Sequence, residues 1–204
     1  EPAVFFESLM FPYTYGSNFV KEIKDRLGWE GLDGIYKNPP RSTKQIMHPE
    51  RFILAREEPK AVNFPNITDL LTSYKLIKTN VLGEFEIYLF CKRYLDELSS
   101  KMASEGWGGD RFQLYENIND KSLLLISISL WDSEKDANEF FEVLKRVVSE
   151  KYKGFTVKDQ ALTSVTYQAS DTNYIYLRKS RDKVIFVDGI KPDILPFLKI
   201  KLGV

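Results

Sequence analysis

Near Gly106-Trp107-Gly108-Gly109 the spacing of apolar residues changes from a helical period to the two-residue period of a strand. That change constrains the chain more than any other feature. Before it, Phe19, Val20, Ile23 and Leu27 lie on one helical face, with Ser17 placed as an N-cap and Gly28 as a stop. A shorter element with Leu32, Ile35 and Tyr36 must end before Pro39-Pro40, because each proline removes a donor and restricts the residue before it. Ser42-Thr43-Lys44-Gln45 has the capping-box pattern and opens one or two turns that His48-Pro49 closes. Residues 55 to 66 read as a loop with a short strand over Ala61 to Phe64. Leu82, Phe85, Leu89, Leu95, Leu98 and Met102 then predict one amphipathic helix of about six turns, ending at Gly106, as the spine of this half.

After the change, Arg111 to Glu116 and Ser122 to Trp131 flank the turn-rich Asn117-Ile118-Asn119-Asp120-Lys121 and predict a hairpin. In its second strand, Ser127 and Ser129 alternate with Ile126, Ile128 and Leu130, giving one apolar and one more polar face. Ser133, with Asp136 three residues on, caps a helix whose buried face carries Ala137, Phe140, Phe141, Leu144, Val147 and Val148 and which Gly154 terminates. Strands over 163–168, 173–180 and 183–188 follow, then a helix beyond Lys191-Pro192. Hairpin-linked strands with one interposed helix predict an α+β fold: a helical N-terminal half packed on an antiparallel sheet of about five strands with helices on one face. The halves are residues 1–106 and 107–204, as two units or as one continuous domain.

Composition removes several function classes. Lys plus Arg and Asp plus Glu both number 29, so no global field draws in nucleic acid. The longest apolar stretch, Leu123 to Trp131, is far short of the roughly 20 residues that span a bilayer. One cysteine and one histidine leave too few nitrogen and sulfur ligands for an ordinary structural zinc site, so the chain is expected to carry no metal or cofactor of its own.

The candidate chemistry is correspondingly thin. His48 beside Glu50 has the elements of a general base, although a histidine that caps a helix end and pairs with Glu50 needs no function. Cys91, next to Lys92-Arg93, reads as a small buried hydrophobe. The Gly106–Arg111 phrase follows a helix and opens a strand, the reverse of a phosphate loop, so Gly106 is expected to cap the helix and Gly108-Gly109 to permit unusual backbone angles. Phe11-Pro12-Tyr13-Thr14-Tyr15-Gly16 gathers aromatics that either pack or line a cleft. A binding cleft between the halves would be lined by Tyr13, Tyr15, His48, Trp107 and Arg111.

Three phrases taken in order carry a resemblance. They are Phe11–Gly16 with Phe19-Val20; Gly28-Trp29 with Pro39–Phe52; and Gly106–Arg111 with Trp131–Glu134 and Ala137–Phe140. Over residues 8 to 145 the chain resembles the carboxy-terminal part of a group of gluzincin-like, zinc-metallopeptidase-like proteins of bacteria and archaea. The resemblance implies a zinc helix of His-Glu-x-x-His form and a glutamate ligand upstream of the Phe-Pro-Tyr phrase. This sequence contains neither, so no zinc ligand and no catalytic residue carries over to it. Its start at Glu1 rather than Met leads to the expectation that something upstream has been removed, whether a start Met, a signal peptide or a whole domain. The implied role is that of a non-catalytic distal region; the alternative is a self-contained small-molecule or peptide binding module.

Overall fold

In the computed structural model, which describes residues 2–203, helix α1 (Pro2–Phe11) runs through a π-helical turn at Pro12–Gly16 into α2 (Ser17–Lys37). Glu1, on which the processing expectation rests, lies outside the described residues. Ser17 is not a cap, because the chain is already helical there and its hydroxyl donates back to Tyr13 O at 2.7 Å. Gly28 does interrupt the helix, with φ 67° and ψ −163°, but the chain resumes it as a kink and ends at Lys37, just before the prolines. Phe19 and Ile23 are buried as expected, whereas Val20 and Leu27 are exposed. After α3 (Thr43–Met47), Pro49 serves as the first residue of a further helix, α4 (Pro49–Ala55), so His48 is a joint between two helices.

The expected six-turn spine is two helices, α5 (Gly83–Lys92) and α6 (Glu97–Ser104). Asp96 breaks it, with its carboxylate accepting from the Ser99 amide at 2.8 Å and so capping a new start. Leu98 and Met102, counted on the buried stripe, are therefore exposed. The expected strand at 61–64 does not form; instead the Lys60 amide donates to Gly108 O at 2.7 Å as the segment crosses the start of strand β2 (Trp107–Asn117).

Among the described residues, seven antiparallel strands form one sheet, so the fold is α+β with more strands than the two-residue period revealed. They are β1 (Tyr74–Asn80), β2, β3 (Leu123–Trp131), β4 (Thr156–Ala161), β5 (Ser164–Gln168), β6 (Tyr174–Ser180) and β7 (Lys183–Ile190), in the order β1-β2-β3-β7-β6-β5-β4. Both strands that went unpredicted, β1 and β4, are sheet edges. Edges bury little, so only Tyr74 of β1 is even half-buried and every residue of β4 is exposed, leaving no alternation to read. Because β1 comes from the first half, the change of period at 106/107 marks a change of element and not a gap in the sheet.

Both faces of the sheet are covered. On one, α5, α6 and the predicted helix α7 (Glu134–Lys151) bury Ile87, Trp107, Trp131, Phe141, Leu144 and Phe186. On the other, helix α8 (Leu195–Lys201) and residues 62–74 cover Leu124, Ile126, Ile128 and Val187. The serines of β3 thus face α5 and α7 rather than water.

Candidate functional site

The segment Arg41–Pro49 joins the helical part to the sheet, and its polar side chains bond one another, the start of α5, Glu57 and Asp132. Ser42 caps α3, accepting from the Gln45 amide at 3.3 Å, while Gln45 Oε1 accepts from the Arg41 amide at 2.6 Å. Gln45 Nε2 donates to Glu57 O at 3.0 Å, and Thr43 Oγ1 accepts from the Phe85 amide at 3.3 Å. Lys44, only 5% exposed, donates to Asp132 Oδ2 at 2.5 Å and lies 3.3 Å from Glu57 Oε2, so its buried charge is paired twice. His48 Nε2 donates to Glu84 Oε1 at 2.7 Å.

Glu84, at 2% exposed, is the buried member of that last pair, and its Oε2 has no hydrogen-bond partner among the described residues. Glu50, the expected partner, stands 3.9 Å from the Nδ1 side. The hydrogen bond to Glu84 holds the His48 imidazole above its ordinary pKa, against the effect of burial. Such a pair ties the start of α4 to α5, and among the described residues no hydrogen bond joins His48 to a hydroxyl or thiol.

Two cavities flank the segment. One, of about 220 Å³, is bounded by Tyr15, His48, Glu84, Tyr88 and Lys101, and burial, then Tyr88, pushes the Tyr15 phenol up. The other, of about 490 Å³, is an open cleft bounded by Arg41, Lys60, Trp107, Asp110 and Arg111. At its back Asp110 accepts from the Leu82 and Gly83 amides, each at 2.9 Å, and from Trp107 Nε1 at 3.0 Å. Burial raises this carboxyl while the three donors hold it down.

The five expected cleft residues therefore divide. Tyr15 and His48 share the smaller cavity, and Trp107 and Arg111 share the larger. Tyr13 stands exposed and bounds neither. Trp107 is fully buried in the sheet core, while Arg111 points outward from β2. The contacts of Glu84 with His48, of Lys44 with Asp132 and of Asp110 with Gly83, which matter most here, went unread because they join residues 27 to 88 apart. One local signal existed: Gly83-Glu84 opens α5 and invites an outside cap.

The glycine phrase has a packing explanation. Gly108 and Gly109 have no positive φ, contrary to expectation; a Cβ on Gly109 would stand 2.2 Å from Lys60 O, so the crossing segment demands glycine. Gly106, at φ 81°, does follow the end of α6 as a cap. Cys91 is buried, which pushes its thiol up to about 12. Among the described residues no three His, Cys, Asp or Glu side chains form a group that could hold a metal ion, and no helix is long and apolar enough to cross a membrane.

Fold and junction together define an α+β protein: one antiparallel sheet, covered on both faces, bolted to a helical part by buried ion pairs. Residues 72–197 match the family described as Domain of unknown function (DUF8575), and the chain belongs to that family. The match opens two residues before β1 and takes in α5, α6, α7 and every strand, so it follows the sheet. No curated protein and no solved structure matches the chain.

Proposed function

We propose that the chain is the non-catalytic distal region of a gluzincin-like, zinc-metallopeptidase-like protein, whose helical part packs beside a zinc-binding neighbour while the sheet braces it. The observation that carries this reading is the outer face of α1. Val4, Phe11 and Tyr15 pack inward on α5, yet Phe5, Phe6, Leu9 and Tyr13 on the opposite side are 68%, 61%, 55% and 74% exposed. A helix apolar on both sides is at rest only when both are covered. The phrases that resemble the gluzincin-like group supply the identity of the cover, and the structural duties of residues 42–48 support a bracing rather than a catalytic role.

The intact mass of the protein from its native source tests this. A mass above 23.7 kDa by about one domain, on the order of 100 residues, is expected. A native mass of 23.7 kDa, or stoichiometric zinc held by this chain alone, would overturn it. The second reading, a self-contained binding module, is supported by the cavity beside His48 and would then lead; a ligand that protects Tyr15 and His48 from chemical modification is its test.

A further inference from the structure

We infer that the partly open recess between α5, α7 and the sheet is a binding site for a small uncharged apolar molecule carrying one hydrogen-bonding group, of the size and kind of phenol. This inference is independent of the proposed function. The space measures about 150 Å³ and lies inside the larger of the two sheet cores. Protein interiors pack as tightly as organic crystals, with few voids larger than a water molecule, so a mostly apolar recess of this size is a departure from ordinary packing that a small aromatic molecule would fill.

Its origin is visible in β3. Leu125, Ser127, Ser129 and Trp131 point toward the helices, so two serines stand where larger apolar side chains would fill the layer. Ser127 is paired across the sheet with Phe112 on β2 and Phe186 on β7, which flank it on the same face. Phe90 of α5, with its ring centroid 6.2 Å from that of Phe186, and Phe140 of α7 complete an aromatic box. The two hydroxyls in it differ. Ser129 Oγ accepts from Trp131 Nε1 at 3.0 Å and donates to Val184 O at 3.4 Å, so it is occupied. Ser127 Oγ has no hydrogen-bond partner among the described residues and is free for a ligand.

A path inward also exists. Leu82, Phe90, Phe112, Leu125 and Ser127 are half-buried and form a mouth, whereas Ile87, Leu144 and Val184 close the bottom. The lining offers no charged group, which selects against ions, and a single free hydroxyl, which selects for one polar atom on an otherwise apolar molecule.

The test is titration of the isotope-labelled full chain with phenol and with toluene, followed by amide shifts. Both should shift Leu82, Phe112, Leu125 and Ser127 saturably, with phenol bound about three- to tenfold tighter, the value of one hydrogen bond. Ser127→Ala should reduce phenol to the affinity of toluene and leave toluene unchanged. Ser127→Leu should fill the box, exclude both probes and raise Tm; where that variant does not fold, Ser127→Ala decides. Absence of saturable shifts up to about 10 mM, ten times a millimolar Kd, would overturn the inference. So would phenol binding unaffected by Ser127→Ala, or shifts confined to α1.

Discussion

The helical part before residue 72 and the sheet unit after it are both rich in apolar residues, yet they bury them to very different degrees. The sheet has a core on each face, with Trp107, Trp131, Leu124, Ile126, Leu144 and Ile185 all fully buried. In the helical part, Phe19, Ile23 and Phe52 form a small cluster, and Phe5, Phe6, Leu9, Tyr13, Trp29 and Tyr36 stand in solvent. The family match stops at the same division. The sheet is covered on both faces, with Ile67 and Leu71 of the first part contributing to one of its cores, whereas the helices lean on it through α5 and the 41–49 bolt and leave apolar surface exposed.

The sharpest way to break this contrast is to cut each side. Trp131→Ala, which removes a fully buried ring lying 4.5 Å from Phe140, should cost about 3–5 kcal/mol in urea unfolding. Phe6→Ser on the outer face of α1 should change stability by no more than about 0.5 kcal/mol. Equal costs for the two would mean that α1 is part of the same core.

The anchor of α5 within the sheet unit is the next target. Asp110→Ala strips three donors of their acceptor and should cost about 2–4 kcal/mol by the same measurement. A loss below about 0.5 kcal/mol would show that water replaces the carboxylate.

The His48–Glu84 pair gives the join a pH dependence whose sign is determined. The folded pKa of His48 lies above the unfolded value, so the stabilisation is fully present below about 6.5 and is lost as pH rises through the raised folded pKa. His48→Gln should flatten that part of the stability profile; a profile identical to wild type would remove the pair from the join. The smallest effect is at Cys91. With its buried thiol raised to about 12, it should react with a disulfide reagent only on global unfolding, while prompt labelling of the native chain would show that α5 opens locally.

Legibility in the sequence followed the range of the interaction. The Ser133 cap, the β2–β3 hairpin and the stop before Pro39-Pro40 were readable because their chemistry is complete within a few residues. The break at Asp96 was present as a cap signal but was overridden by an apolar spacing that continued through it. The single cleft failed because it assumed that aromatics and a histidine from different phrases would converge, whereas Tyr15 with His48 and Trp107 with Arg111 line separate cavities.

By itself the sequence determined the α+β class, the position of the main helix α7 and the alternation along β3, all consequences of local periodicity and capping. Only the tertiary structure decided which way that alternation points, that Ser127 and Ser129 lie under helices, and that His48, Lys44 and Asp110 find Glu84, Asp132 and the start of α5. A period of two specifies that two faces differ but not what will cover each of them. A buried charge likewise acquires its partner only when distant segments are folded together.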